Sequence, residues 1–122
     1  MKREEIEEKC VAEIDALGPW ETFWTGTTRW CSSRDSLMRS FNSFMRSEYP
    51  TVSYVAALEP HKDLASGWHI HCLFDRPPEW FWDRGLQPKW FEKYGFHRIE
   101  KPRSDVNVRT YVTKYVMKGW AG

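Results

Sequence analysis

The sequence predicts an α+β domain of split βαβ, ferredoxin-like topology, with an antiparallel sheet of four to five strands and flanking helices packed mainly on one face. Three observations predict it. Helical and strand-like segments follow one another in the order α, then β-α-β-β-α-β, then α. The strand-like segments are rich in Thr, Val and aromatic residues. The length, 122 residues with 41% hydrophobic, is enough for one core and one domain, residues 1–122.

Residues 2–17, "KREEIEEKCVAEIDAL", place Ile6, Cys10, Ile14 and Leu17 at helical spacing, and "GP" at 18–19 ends this N-terminal amphipathic helix. Residues 21–30, "ETFWTGTTRW", read as the first strand and open a core spanning 21–120. Ser32 or Ser33 is placed to cap a second helix running to about Glu48, with Leu37, Phe41, Phe44 and Met45 on its apolar side and Pro50 after its end. "TVSYVAALE", 51–59, and "WHIHCLF", 68–74, read as two strands joined into an antiparallel hairpin. Residues 78–94 read as helix interrupted at Gly85 and Pro88, with Trp80, Trp82 and Trp90 assigned mainly to the core. "GFHRIEK", 95–101, reads as a fourth strand, and Asp105 as the cap of a last helix, "VNVRTYVTKYVMKG".

Several function classes are excluded early. No apolar run reaches membrane-spanning length and the N-terminus lacks a signal peptide's hydrophobic stretch, so no membrane partner and a cytoplasmic location are expected. Cys10, Cys31 and Cys72 are odd in number and without a CxxC, which points to free thiols. The net charge of +1 hides an asymmetry: residues 1–17 carry 3 Lys/Arg against 6 Asp/Glu, residues 84–118 carry 9 against 3. A basic segment interleaved with aromatic residues fits a single-stranded nucleic-acid surface, and fits equally a solvated face over an aromatic core.

Side chains two apart on a strand share a face. His69, His71 and Leu73 therefore point one way and Trp68, Ile70, Cys72 and Phe74 the other. The second set is core. The first places two imidazoles side by side, either as structural histidines or as a chelating pair. Glu59, at the end of the preceding strand, is a third ligand if the hairpin register brings it to the same face, and an exposed carboxylate if not. His61 ranks below it. Two imidazoles and a carboxylate leave coordination positions open, as catalytic metal sites require.

In "YVTKYVMK", an α-helix brings Tyr111, Lys114, Tyr115 and Lys118 within an arc of roughly 100°, beside a stripe of Val108, Val112 and Val116. This is either a surface stripe or a pair of phenols activated by neighbouring ammonium groups. The second reading carries a geometric condition: the tyrosine helix must lie on the sheet face that bears "HIH".

Taken together, "FWTGTT", "YVAALEPHK" leading to "GWHIHCLF", and "YVTKYVMKG" resemble the ordered motifs of HUH endonucleases, the nuclease domains of rolling-circle replication initiators from phages and small plasmids. The resemblance covers most of residues 21–120. It implies the HUH nuclease fold and makes Glu59, His69 and His71 ligands of Mg²⁺ or Mn²⁺. It further implies that Tyr111 or Tyr115 attacks a phosphodiester to leave a 5′-phosphotyrosine, and that Lys114 and Lys118 position the phosphate or stabilise its charge.

The paired tyrosines are similar to those of phage-type initiators. The implied activity is metal-dependent, sequence-specific nicking and rejoining of single-stranded DNA at an origin hairpin. Arg98, Lys101, Arg103 and Arg109 are expected to contact the DNA backbone. Only "WAG" follows the tyrosine helix, so no helicase is expected within the chain, and host helicase and polymerase are the expected partners. A transposase or relaxase-like nuclease, and a non-catalytic nucleic-acid-binding module of ferredoxin-like fold, are the alternatives.

Overall fold

The computed structural model describes residues 2–28, 33–60, 67–95 and 100–119. A helix α1 (Arg3–Leu17) leads into strand β1 (Thr22–Thr27), helix α2 (Arg34–Glu48), strands β2 (Tyr54–Pro60) and β3 (Trp68–Phe74), and helices α3 (Pro78–Asp83) and α4 (Leu86–Tyr94). The chain then reaches α5 (Val108–Tyr111), which continues as a π-helical turn over Val112–Val116 and a 3-10 turn over Met117–Gly119.

The sheet runs β1-β3-β2 with β3 antiparallel to both neighbours. β1 and β2 are therefore parallel to each other, joined by α2 and parted by β3, which is a split βαβ unit. Among the described residues the sheet has three strands, fewer than the four to five expected. Of the expected fourth strand, 95–101, residues 96–99 lie outside the described set. The segment from Glu100 to Arg103 stays near the sheet without forming a strand: Glu100 N–H donates to Thr25 O (3.2 Å), and Phe23 and Arg103 exchange backbone hydrogen bonds of 2.9 and 3.0 Å along the outer edge of β1.

Helices cover both faces of the sheet, a departure from the one-sided packing expected. On one face Trp24, Ile70, Cys72 and Phe74 pack with Leu37, Phe41, Phe44 and Met45 of α2 and with Phe81, Leu86 and Trp90 of α3 and α4. α2 is fixed at its start by Ser33, whose Oγ accepts from Ser36 N–H at 3.1 Å. On the other face Phe23, Leu73 and Tyr111 are buried against Ile14 of α1, Val55, Ala57, Tyr115 and Val116. The reason is the alternation within β1 and β3 themselves. Phe23 and Leu73 are as apolar as the core set, so the histidine-bearing face cannot be left to solvent.

Four smaller expectations are corrected. Leu17 is 68% exposed and does not join the apolar side of α1. Pro88 does not interrupt the helix: it sits in the first turn of α4, where its missing N–H costs nothing, and the break is made by Gly85 with φ +66°. Trp90 is core, but Trp82 is 55% exposed. The last helix is capped by Asn107, whose Oδ1 accepts from Thr110 N–H at 3.0 Å, and not by Asp105.

One close approach explains a glycine in the middle of β1. A Cβ on Gly26 would overlap the Trp24 ring, which folds across it. The strand can bury that indole on its own backbone only if position 26 has no side chain.

Candidate active site

Antiparallel pairing of β2 with β3 sets Glu59 directly opposite His69, and Ala57 opposite His71. On the other side of β3, Thr27 pairs with His69 and Thr25 with His71. Glu59, His69 and His71 thus converge at one end of one sheet face, and one ligand atom from each lies within 4.8 Å of the others. The register that brings them together follows from the hairpin, because a slip of one residue would turn both imidazoles into the core.

His71 is only 5% exposed and is held at both ring nitrogens. Its Nδ1 is 3.0 Å from Thr25 Oγ1 and its Nε2 is 3.1 Å from Glu59 Oε1. Burial pulls its pKa down, partly opposed by Glu59, so the neutral imidazole that a cation needs is favoured. Burial alone would raise the Glu59 carboxyl, but hydrogen bonds and charge from Lys118 and His71 outweigh it and hold that group below its usual range. Lys118 Nζ is bonded to Glu59 Oε2. Two imidazole nitrogens and an ionised carboxylate, this close together, are a donor set that a divalent cation fits.

The tyrosine helix lies on this same face, and its two tyrosines meet different surroundings. Tyr111 is 2% exposed, and its hydroxyl is 2.6 Å from the His71 carbonyl oxygen, to which it donates, and 3.2 Å from that of Val55. Burial raises its pKa well above the ordinary phenol value. Tyr115, one turn on and half-buried, stacks on the His71 ring at 3.7 Å between centroids and on Phe23 at 5.5 Å. The π-helical turn shifts the arc expected for an α-helix, so Tyr111 faces the core while Lys114 and Lys118 are exposed.

α1 braces this helix. Arg109 makes a two-pronged ion pair with Glu8 (2.6 and 3.1 Å), Thr113 donates to Glu7, and Arg3 donates to the Met117 carbonyl oxygen at 3.2 Å. Arg109 is thereby committed to α1 and away from the histidines. Lys101 is exposed, Arg98 lies outside the described residues, as does His61, and Arg103 sits over the Phe23 ring at 4.8 Å.

Residues 22–120 match the family described as Replication-associated protein, ORF2 type. The chain belongs to that family. No curated protein and no solved structure matches it significantly. Membership makes this a Rep-type replication-associated domain and ties it to nucleic acid. The match begins at β1 and ends after the tyrosine helix, so it spans every side chain of the cluster and leaves α1 outside.

Two residues of this Rep-type domain were not singled out by its sequence. Thr25 holds His71, and Phe23 is the ring on which Tyr115 stacks. Their signal is the alternation in "FWTGT", which puts Phe23, Thr25 and Thr27 on the face that carries the histidines. Among the described residues no helix is long and apolar enough to cross a membrane.

Proposed function

We propose that this Rep-type domain nicks and rejoins single-stranded DNA through a 5′-phosphotyrosine intermediate, with Glu59, His69 and His71 holding a divalent cation and Tyr115 as the attacking group. The observation that carries the reading is the stacking of Tyr115 on His71 at 3.7 Å, beside three ligand atoms within 4.8 Å of one another. A bound cation would supply Lewis acidity to the scissile phosphate. Two imidazoles with one carboxylate suit Mn²⁺ better than Mg²⁺, which favours oxygen ligands and retained waters.

The remaining work falls to the chain's own residues. The Tyr115 phenol oxygen forms a bond to phosphorus while the bond to the 3′ oxygen breaks. The phenol gives up its proton, the leaving oxygen gains one, and the products are a free 3′-hydroxyl and a tyrosyl 5′-phosphodiester. One phosphodiester replaces another, so a 3′-hydroxyl can reverse the step and rejoin the strand. Lys118, held at Glu59, and Lys114, 5.4 Å from the Tyr115 ring, supply positive charge for the phosphate. Tyr111, with its hydroxyl already bonded to the sheet, keeps the helix seated.

The test is a covalent band. Incubating the protein with a labelled single-stranded origin library and Mn²⁺ should give a protein–DNA adduct that chelator suppresses and that His69→Ala and Tyr115→Phe lose. A protein that forms no adduct with any sequence would refute the nicking reading.

A further inference from the structure

Beside Tyr115, on the side of the outer edge of β1, lies a cavity of about 270 Å³ lined by Phe23, Arg103, Asp105, Asn107, Tyr115 and other residues of the tyrosine helix. It differs in kind from the larger cavity on the other side of Tyr115, about 560 Å³, which is lined mostly by apolar residues of α1, β2 and the π-helical turn. The smaller one has an aromatic wall and a polar wall. Phe23 and Tyr115 form the first, stacked at 5.5 Å with 23° between their planes. Arg103, Asp105, Asn107 and Lys114 form the second.

Arg103 is held unusually well for a residue on a segment that is not a strand. Its backbone bridges Phe23, its guanidinium lies 4.8 Å over the Phe23 ring, and its Nε is 3.3 Å from Asp105 Oδ1. The Nε contact uses the inner edge of the guanidinium and orients the outer fork. Such a fork matches two acceptors side by side, and the adjacent carboxylate matches donors.

We propose that this cavity is a subsite for one nucleobase of the strand next to the scissile phosphate, that the base is guanine, and that Arg103 and Asp105 read it. The inference rests on the nicking reading for its placement beside Tyr115. Guanine is the base that offers two adjacent acceptors, O6 and N7, to a guanidinium fork and two donors, N1–H and the N2 amine, to a carboxylate. In single-stranded DNA all those edges are open, and the aromatic wall supplies a stacking surface. A volume just under that of ordinary small-ligand sites suits one base. Arg103 thus reads sequence, whereas a backbone contact carries none.

The experiment is a binding selection. A random single-stranded DNA library is presented to the Tyr115→Phe protein, which keeps the ring but cannot cut, and the retained molecules are sequenced. Guanine should be favoured at one position by roughly tenfold. Arg103→Lys, which keeps the charge and removes the fork, should abolish the preference at that position and leave the others as they were. Asp105→Asn, at an exposed carboxylate, should weaken the same position and serves if Arg103→Lys fails to fold. Equal weakening at every position would make Arg103 a phosphate contact and overturn the proposal. So would no guanine preference in the parent protein, or a preference that neither variant moves. The adduct assay with Mn²⁺ is separate, so loss of the subsite and loss of the nicking reading give different results.

Discussion

The two tyrosines of "YVTKYVMK" are indistinguishable by spacing, since each is followed by a lysine three residues later, and their burial separates them. Tyr111 spends its hydroxyl on the His71 carbonyl oxygen, and burial keeps that phenol protonated well above its usual range. Tyr115 rests on the metal-ligand candidate itself. Tyr115→Phe is therefore expected to remove the covalent adduct, and Tyr111→Phe to retain it while lowering stability by about 1–2 kcal/mol through the lost hydrogen bond, read by denaturant melts. An adduct that survives in Tyr115→Phe and vanishes in Tyr111→Phe would reverse the assignment. The same face gives a second test. Thr25 can donate to His71 Nδ1 or accept from it, so it suits the ring whether Nε2 carries its proton toward Glu59 or is free for a cation. Thr25→Val should weaken Mn²⁺ binding roughly tenfold by calorimetry with the fold intact, and Thr25→Ser should restore it. The ligand candidates were legible in the sequence because strand alternation alone puts His69 and His71 together and the hairpin brings Glu59 opposite. The choice between tyrosines was not, because it depends on how deep a helix sits against a sheet.

Among the elements, strands and helices with a single strong period were readable. α2 is the example: an N-cap serine, four apolar side chains at helical spacing and a proline beyond the end predicted its cap and its buried face. The tyrosine helix was readable in position but not in pitch. "VTKYV" gives no local sign of a π-helical turn, which inserts extra backbone where the chain must satisfy α1 on one side and the sheet on the other. The missing fourth strand has a similar cause. Pro102 and the turn into Asp105 leave the segment around Arg103 able to exchange hydrogen bonds with β1 only at Phe23, apart from the one at Glu100. β1 carries the clearest element-scale prediction. Trp24 lies across Gly26 and is buried against Phe41 and Trp90, so it cannot swing aside to admit a methyl group. Gly26→Ala should destabilise the protein by about 1–3 kcal/mol. A melt unchanged from wild type would show that the indole can move after all.

For the whole molecule, the sheet with helices on both faces makes the candidate site part of the folded core's own charge balance. Glu59 and His71 both have lowered pKa values in the folded state. The sign is the same for both: the unfolded chain takes up protons at a pH where the folded one does not, so stability rises with pH through that range. The His71 contribution is present above about pH 6.5 and is lost as pH falls through its lower folded value. The Glu59 contribution is present above about pH 4.3 and is lost on further acidification. The metal-free protein should therefore melt at progressively lower temperature as pH drops from about 6.5 to 4, with no matching loss between pH 7 and 8. A divalent cation acts on the same groups, because it binds the deprotonated donors and only the folded chain brings them together. At a hundredfold excess over its dissociation constant, Mn²⁺ should stabilise the protein by about 2.7 kcal/mol, a shift of roughly 8–12 °C for a domain of this size. That shift should shrink as pH falls through the range where His71 takes up its proton, and should be absent in His71→Ala. A Mn²⁺ shift that is the same at pH 5 and pH 7.5, or that persists in His71→Ala, would place the cation somewhere other than between Glu59, His69 and His71.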